Sequence, residues 1–227
     1  VARVLVWPDM HAPWDHPKAR DFLCRVRDSF KTDRVVNLGD EVDLHAFSAR
    51  WPMNPELHSA SRELELAKES LARYYKDFPH VDVLESNHGM RIFKKNMVSG
   101  MPAKVLRRYE EILGFVKGWS LVGDHLLIDG VFYTHGEGIS GGSWQLAHQK
   151  YKSSVVMGHL HSRAGVFYSQ TKRYKHFTMN AGCLIDTTSE AFSYGKHIIE
   201  KPVLGCGVVI DGEQALFIPM NDQGKFK

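Results

Sequence analysis

The residues with chemistry to offer fall in five short groups. These are Asp9-Met10-His11, Gly39-Asp40-Glu41-Val42-Asp43, Asn87-His88, His135-Gly136 and Gly158-His159-Leu160-His161. They supply carboxylate oxygens, an amide oxygen and imidazole nitrogens, with no thiolate. That set suits borderline divalent metals such as manganese, iron, zinc or nickel. Seven ligands of these kinds are too many for one ion. They suit two ions about 3.5–4 Å apart that share a bridging carboxylate, a pair able to activate water and clamp a phosphoryl centre during in-line displacement. Each group alone reads as well as a turn, because Asn, Asp and Gly are turn formers. Their common placement argues otherwise.

Each group follows an apolar run of strand length: 3–8 (RVLVWP), 34–38 (RVVNL), 81–85 (VDVLE), 131–134 and 154–157. In α/β sheets, ligand sites lie at the carboxyl ends of strands, so five strand ends can bring these side chains into one crevice. Between the runs, 16–30 places Ala19, Phe22, Leu23, Val26 and Phe30 on one helical face. Segments 59–78, 102–115 and 141–151 also read as helices. Later come three hairpins, at 125–135, 164–182 and 203–219; Asp129-Gly130 and Asp211-Gly212 mark two of the turns. The order βαβαβ followed by hairpins predicts an α/β (α+β) fold with helices outside a mixed sheet system. With neither a repeat nor a linker in evidence, 1–227 reads as a single domain.

The series Asp9-x-His11, Gly39-Asp40-x-x-Asp43, Asn87-His88, His135-Gly and Gly158-His159-x-His161 resembles the calcineurin-like metallophosphoesterase superfamily and, more loosely, stand-alone phosphoesterases of bacteria and phages. The resemblance implies a four-layer αββα sandwich of two mixed sheets, with the chain after residue 161 completing the second sheet. It implies that Asp9, His11 and His161 hold one metal, that Asn87, His135 and His159 hold the other, and that Asp40 bridges them. His88 becomes the general acid or a stabiliser of the phosphoryl group, and Asp43 orients a ligand through a hydrogen bond. Arg91 is chosen over Arg163 to bind non-bridging phosphate oxygens. The implied cofactors are two divalent ions, with manganese placed ahead of iron, zinc and nickel. Two positions depart from the family pattern: Ser86 stands where a Gly is usual, and Gly89 where an acid normally pairs with the catalytic His. The expectation is that Glu41 or Glu85 substitutes for that acid or that His88 is a weaker acid, and that Gly89→Asp raises the rate on poor leaving groups.

The implied activity is hydrolysis of a phosphate ester, leaning to phosphodiesters such as nucleic acid. Two alternatives stand beside it: a phosphomonoesterase acting on phosphoprotein or nucleotide, and a low-turnover phosphate- or nucleic-acid-binding module. The net charge of +3 does not choose between them, but its distribution is uneven. Segment 91–108 carries six basic and no acidic residues, and 138–185 carries six Lys or Arg and no Asp or Glu. Tyr168, Tyr174 and Phe177 interleave with Lys172, Arg173 and Lys175, a mixture suited to phosphate contact and base stacking. The motif GEGISG (136–141) matches a dinucleotide loop, but no acidic residue lies near 20 positions later, so a flexible loop is the better reading. Of the off-motif histidines, His45 is the candidate to line the cleft; His58, His125, His148 and His197 read as surface or capping residues. Three cysteines without a CxxC, and no apolar run long enough to span a membrane, predict a reduced cytoplasmic protein without a membrane partner.

Overall fold

A computed structural model describes residues 1–48, 57–189, 199–221 and 223–225. The first sheet is built on β1 (Arg3–Trp7), β2 (Arg34–Asn37), β3 (Val81–Val83) and β4 (Trp119–Leu121), all parallel, with β10 (Gly205–Ile210) antiparallel to β1 and β11 (Gln214–Pro219) antiparallel to β10. The second contains β5 (His125–Ile128), β6 (Val131–Thr134), β7 (Ser154–Met157), β9 (Lys175–Ala181) and β8 (Ala164–Gln170), in that spatial order; β6, β7 and β9 are parallel.

The layers follow from side-chain alternation. In β1, Val4 and Val6 join Val36, Leu38, Tyr133, Val156 and Met179 in a core between the two sheets. Leu5 and Trp7 belong instead to the outer core, with Phe22, Leu23 and Val26 of α1 (Ala19–Phe30) and Leu71 of α2 (Ala60–Ala72). In β7, Val156 faces the other sheet, whereas Val155 and Met157 pack with Trp144 and Ala147 on the far side. Helices therefore cover the outer face of each sheet, giving the four-layer sandwich. Each fully buried Val, Leu or Phe stabilises this arrangement by about 1.5–3 kcal/mol. A one-residue slip of β1 would exchange its two faces, so the register, and with it the position of Asp9, is held by both cores.

Three expectations change. Hairpin 203–219 does not extend the second sheet: β10 pairs with β1, Leu5 opposite Val208, in the first. The helix expected over 102–115 is broken into a 3-10 turn at Ala103–Val105 and the short α4 (Tyr109–Leu113); the break lets Tyr109 enter the core and hydrogen-bond to Glu41. An unforeseen helix, α3 (Arg91–Val98), follows the Asn87-His88 pair. Segment 141–151 is a 3-10 turn continuing into α5 (Ala147–Tyr151). Both Asp-Gly turns adopt positive φ at both residues (48° and 77° at 129–130, 56° and 69° at 211–212), as a tight hairpin requires.

Candidate metal centre

The polar groups after β1, β2, β3, β6 and β7 converge, as parallel strands with their carboxyl ends on one side of the molecule require. Asp9, His11, Asp40 and His135 are buried, and Asn87, His159 and His161 partly so. Donor atoms of Asp9, His11 and His161 lie within 4.8 Å of one another, as do those of Asp40, His135 and His159. Asn87 joins the latter group through Oδ1, 2.8 Å from His135 Nε2. Three of these residues hold left-handed backbone: His11 (φ 52°), Asp40 (φ 49°) and His159 (φ 68°). Such strain in non-glycine residues persists only where the surroundings impose it, and it concentrates at functional sites.

Hydrogen bonds decide which ring nitrogen of each histidine is offered. His11 Nδ1 donates to Asp43 Oδ1 (2.8 Å), which directs Nε2 toward His161 Nε2 (3.2 Å) and Asp40 Oδ2 (3.5 Å). His135 Nδ1 donates to the Leu38 carbonyl (3.1 Å), which directs Nε2 toward Asp40 Oδ2 (3.4 Å) and His159 Nδ1 (3.1 Å). Asp40 Oδ1 accepts the His88 backbone N–H (3.0 Å), so Oδ2 faces both groups at once. Buried ring nitrogens that converge on one another and on carboxylate oxygens are the arrangement a cation stabilises, and Asp9 Oδ1 is buried without a hydrogen-bond partner. The donor set fits divalent metal.

The electrostatics agree. Burial alone would raise Asp9 and Asp40, but the histidines around them outweigh it and hold both below the usual carboxylate range. Burial opposes protonation of His135, yet the carboxylates of Asp40 and Asp9 raise it to about 9. Burial and the nearby His88 charge lower His11 against the pull of Asp43 and Asp40.

Asp43 does more than orient one ligand. Its Oδ1 meets His11 Nδ1 at 2.8 Å and lies 2.9 Å from His88 Nδ1, which is also hydrogen-bonded to the Asp43 carbonyl at 2.9 Å, and the two rings stand edge to face with centroids 4.4 Å apart. Burial disfavours the charged carboxyl, but its bonds to both imidazoles leave it far below the ordinary value. The acid that pairs with His88 is thus Asp43, rather than Glu41 or Glu85. Glu41 is engaged by Tyr109, and burial raises its carboxyl to about 7. His88 is disfavoured as a cation by burial, but Asp40 and Asp43 outweigh this and raise it. A side chain at Gly89 would not approach this dyad freely: its Cβ would lie 2.7 Å from Tyr109 Oη.

Arg91, at the start of α3, donates from Nη1 to the Asp43 carbonyl (2.8 Å) and places Nη2 3.0 Å from His88 Nε2. Arg163 instead pairs with exposed Glu200 (2.5 Å). His45 opens a 3-10 turn after Asp43 at the rim; burial lowers it, with Arg91 and His88 adding to that against Asp43. His148 is not a surface residue: it is buried, with Nδ1 2.9 Å from the Gln145 carbonyl. His58 stacks on Trp14 and His125 on Phe132, and His197 lies outside the described residues. The GEGISG segment forms turns after β6 and opens no long helix.

The two basic segments part company. Segment 91–108 starts at the centre through Arg91. The basic–aromatic tip of β8–β9 does not adjoin it: seven-residue strands carry that tip about 20 Å from the His161 end of the hairpin. There Lys175 lies over the Tyr168 ring (5.0 Å) and Tyr174 stacks on His176.

No family model matches the sequence, and no curated protein matches it. Among solved structures, the chain is similar to Yfce, a phosphoesterase from E. coli, with 14% identity and a TM-score of 0.42, covering 92% of this chain and 88% of that one. It is also similar to a conserved uncharacterized protein from Streptococcus pneumoniae TIGR4, described as a predicted phosphoesterase, with 14% identity and a TM-score of 0.39, covering 92% and 83%.

Proposed function

We propose that this protein is a metal-dependent phosphoesterase of the calcineurin-like kind, using two divalent ions, manganese first, to hydrolyse a phosphate ester with a lean to diesters. The observation that carries the reading is the pair of donor groups sharing Asp40 Oδ2. Asp9, His11 and His161 would hold one ion, and Asn87, His135 and His159 the other. Bound there, the ions would neutralise phosphoryl oxygens and make water a nucleophile near neutral pH.

The chain's own residues supply the rest. His88, kept above its ordinary pKa by Asp40 and Asp43, holds a proton for the leaving oxygen. Asp43 holds Nδ1, which leaves Nε2 as the nitrogen for the leaving oxygen; Arg91 Nη2 donates to that nitrogen at 3.0 Å here, so proton delivery requires Arg91 to turn from Nε2 to the phosphate. Arg91 Nη1 stays on the Asp43 carbonyl, and Nη2, turned from His88 to a non-bridging phosphate oxygen, would set the phosphate beside the acid. Segment 91–108, basic and continuous with Arg91, favours a substrate with further negative charge beyond the scissile group, which is why a diester such as nucleic acid is preferred to a small monoester.

The test is manganese-dependent hydrolysis of a chromogenic phosphodiester against the matching monoester. Faster diester turnover is expected. Faster monoester turnover would move the assignment to a phosphatase, and no turnover of either with metal bound would leave a binding module.

A further inference from the structure

Asp40 has an unusual backbone duty. Its carbonyl accepts the N–H groups of Met10 (3.1 Å) and His11 (2.9 Å), which ties the loop after β2 to the loop after β1. Its Oδ1 accepts the His88 N–H, which ties the same loop to the one after β3. A left-handed φ of 49° directs its own N–H away from the sheet ladder into buried surroundings, where a donor must find a partner. That partner is the Ser86 hydroxyl, at 2.8 Å. Ser86 Oγ also accepts the Gly89 N–H (3.1 Å), and the Ser86 carbonyl accepts the Met90 N–H (3.0 Å). The residue is buried and fits only because Gly39 lacks a side chain: a Cβ on Gly39 would stand 2.5 Å from Ser86 Cβ.

Two reciprocal bonds therefore close a ring, Asp40 N–H to Ser86 Oγ and His88 N–H to Asp40 Oδ1. The ring fixes the rotation of the Asp40 carboxylate, so that Oδ2 is the atom turned to both donor groups. A Gly at 86 would leave the Asp40 and Gly89 N–H groups without this acceptor, and the carboxylate would be held at one end only. We infer that Ser86 is a positioning residue: its hydroxyl staples the Asp40 loop to the Asn87-His88 loop and thereby sets the shared carboxylate for both metal positions at once. The inference rests on the metal reading of Asp40 proposed above.

The experiment is calorimetric titration of metal-stripped protein with manganese, for wild type, Ser86→Ala, Ser86→Cys and the remote buried control Thr178→Val, with circular dichroism of each. Wild type takes up two ions. Ser86→Ala weakens both binding events about 10-fold or more, the range for removing a hydrogen bond that orients a ligand. Ser86→Cys, which fills the same space with a poor acceptor, weakens them in the same direction and reads out the loss if the Ala variant does not fold. Thr178→Val, which loses hydrogen bonds to His148 far from the centre, binds as wild type does. Unchanged affinity in both Ser86 variants, with wild type binding two ions, overturns the staple alone. Weakening of one event only overturns the claim that it serves both positions. Absence of binding in wild type overturns the metal reading and the staple together.

Discussion

Gly89 offers a prediction whose size can be worked from distances. A methyl group at this position would sit 2.7 Å from Tyr109 Oη, about 0.7 Å inside the 3.4 Å at which ordinary contact begins. Tyr109 is buried, and its hydroxyl is the hydrogen-bond partner of buried Glu41, whose other oxygen already lacks one. Gly89→Ala must therefore displace that hydroxyl, at an overpacking cost of about 1–3 kcal/mol. Tyr109→Phe removes the hydroxyl directly and leaves the Glu41 carboxyl without its side-chain partner, at about 1–3 kcal/mol. The two losses share one atom. With Phe at 109, the nearest ring atom to the new methyl is Cζ at 3.4 Å, and only the milder contact with Ser86 Oγ at 3.1 Å remains. The double variant should be about 1 kcal/mol or more less destabilised than the sum of the singles. Urea unfolding of the four metal-free proteins measures this. Additivity within about 0.5 kcal/mol would refute the reasoning. The same geometry reverses the expectation from sequence that Gly89→Asp improves catalysis: the aspartate would break the Tyr109–Glu41 pair, while His88 already has its acid in Asp43.

Three further outcomes are expected. Asp43→Asn removes the anion that both His11 and His88 meet while keeping the carbonyl bonded to His88 Nδ1, so both kcat and manganese affinity should fall about 10–100-fold; a change under about twofold would show that the Asp43 carboxylate orients neither ring. Arg91→Ala should lower kcat/KM about 10–100-fold through loss of a charge-assisted contact, with Arg91→Lys recovering only part; an unchanged value would place the phosphate elsewhere. Burial raises the thiols of Cys183 and Cys206, and raises Cys24 less completely covered, so little thiolate exists at neutral pH. A thiol reagent should label Cys24 alone in the folded protein, slowly at pH 7 and faster as pH rises toward the thiol pKa; prompt labelling of all three would contradict the packing of β10 and of the segment after β9.

The strand ends were readable because a buried parallel strand is an apolar run, and a polar cluster directly after it has few places to go. The face of α1 was readable for the same reason: Ala19, Phe22, Leu23 and Val26 repeat at helical spacing and are buried together. What escaped the sequence is non-local. Alternation in 203–219 announces a hairpin but not which strand its edge will meet, and it met β1. The break in 102–115 serves a contact 68 residues away, Tyr109 to Glu41. Asp43 and His88, 45 residues apart, carry no local sign that one serves the other, so the sequence points to neighbours of His88 rather than to an acid across the cleft. Ser86 stood out only as a departure from a pattern; its role appears once Asp40 is seen in left-handed backbone with an N–H to satisfy.

The central claim is that Asp40 belongs to two metal positions. Its most direct test is the manganese stoichiometry of metal-stripped wild type against Asp40→Asn, with both checked for folding. The account predicts two ions bound by wild type and loss of both in the variant. Binding of a single ion by wild type, or retention of one tightly bound ion by a folded Asp40→Asn, would contradict it.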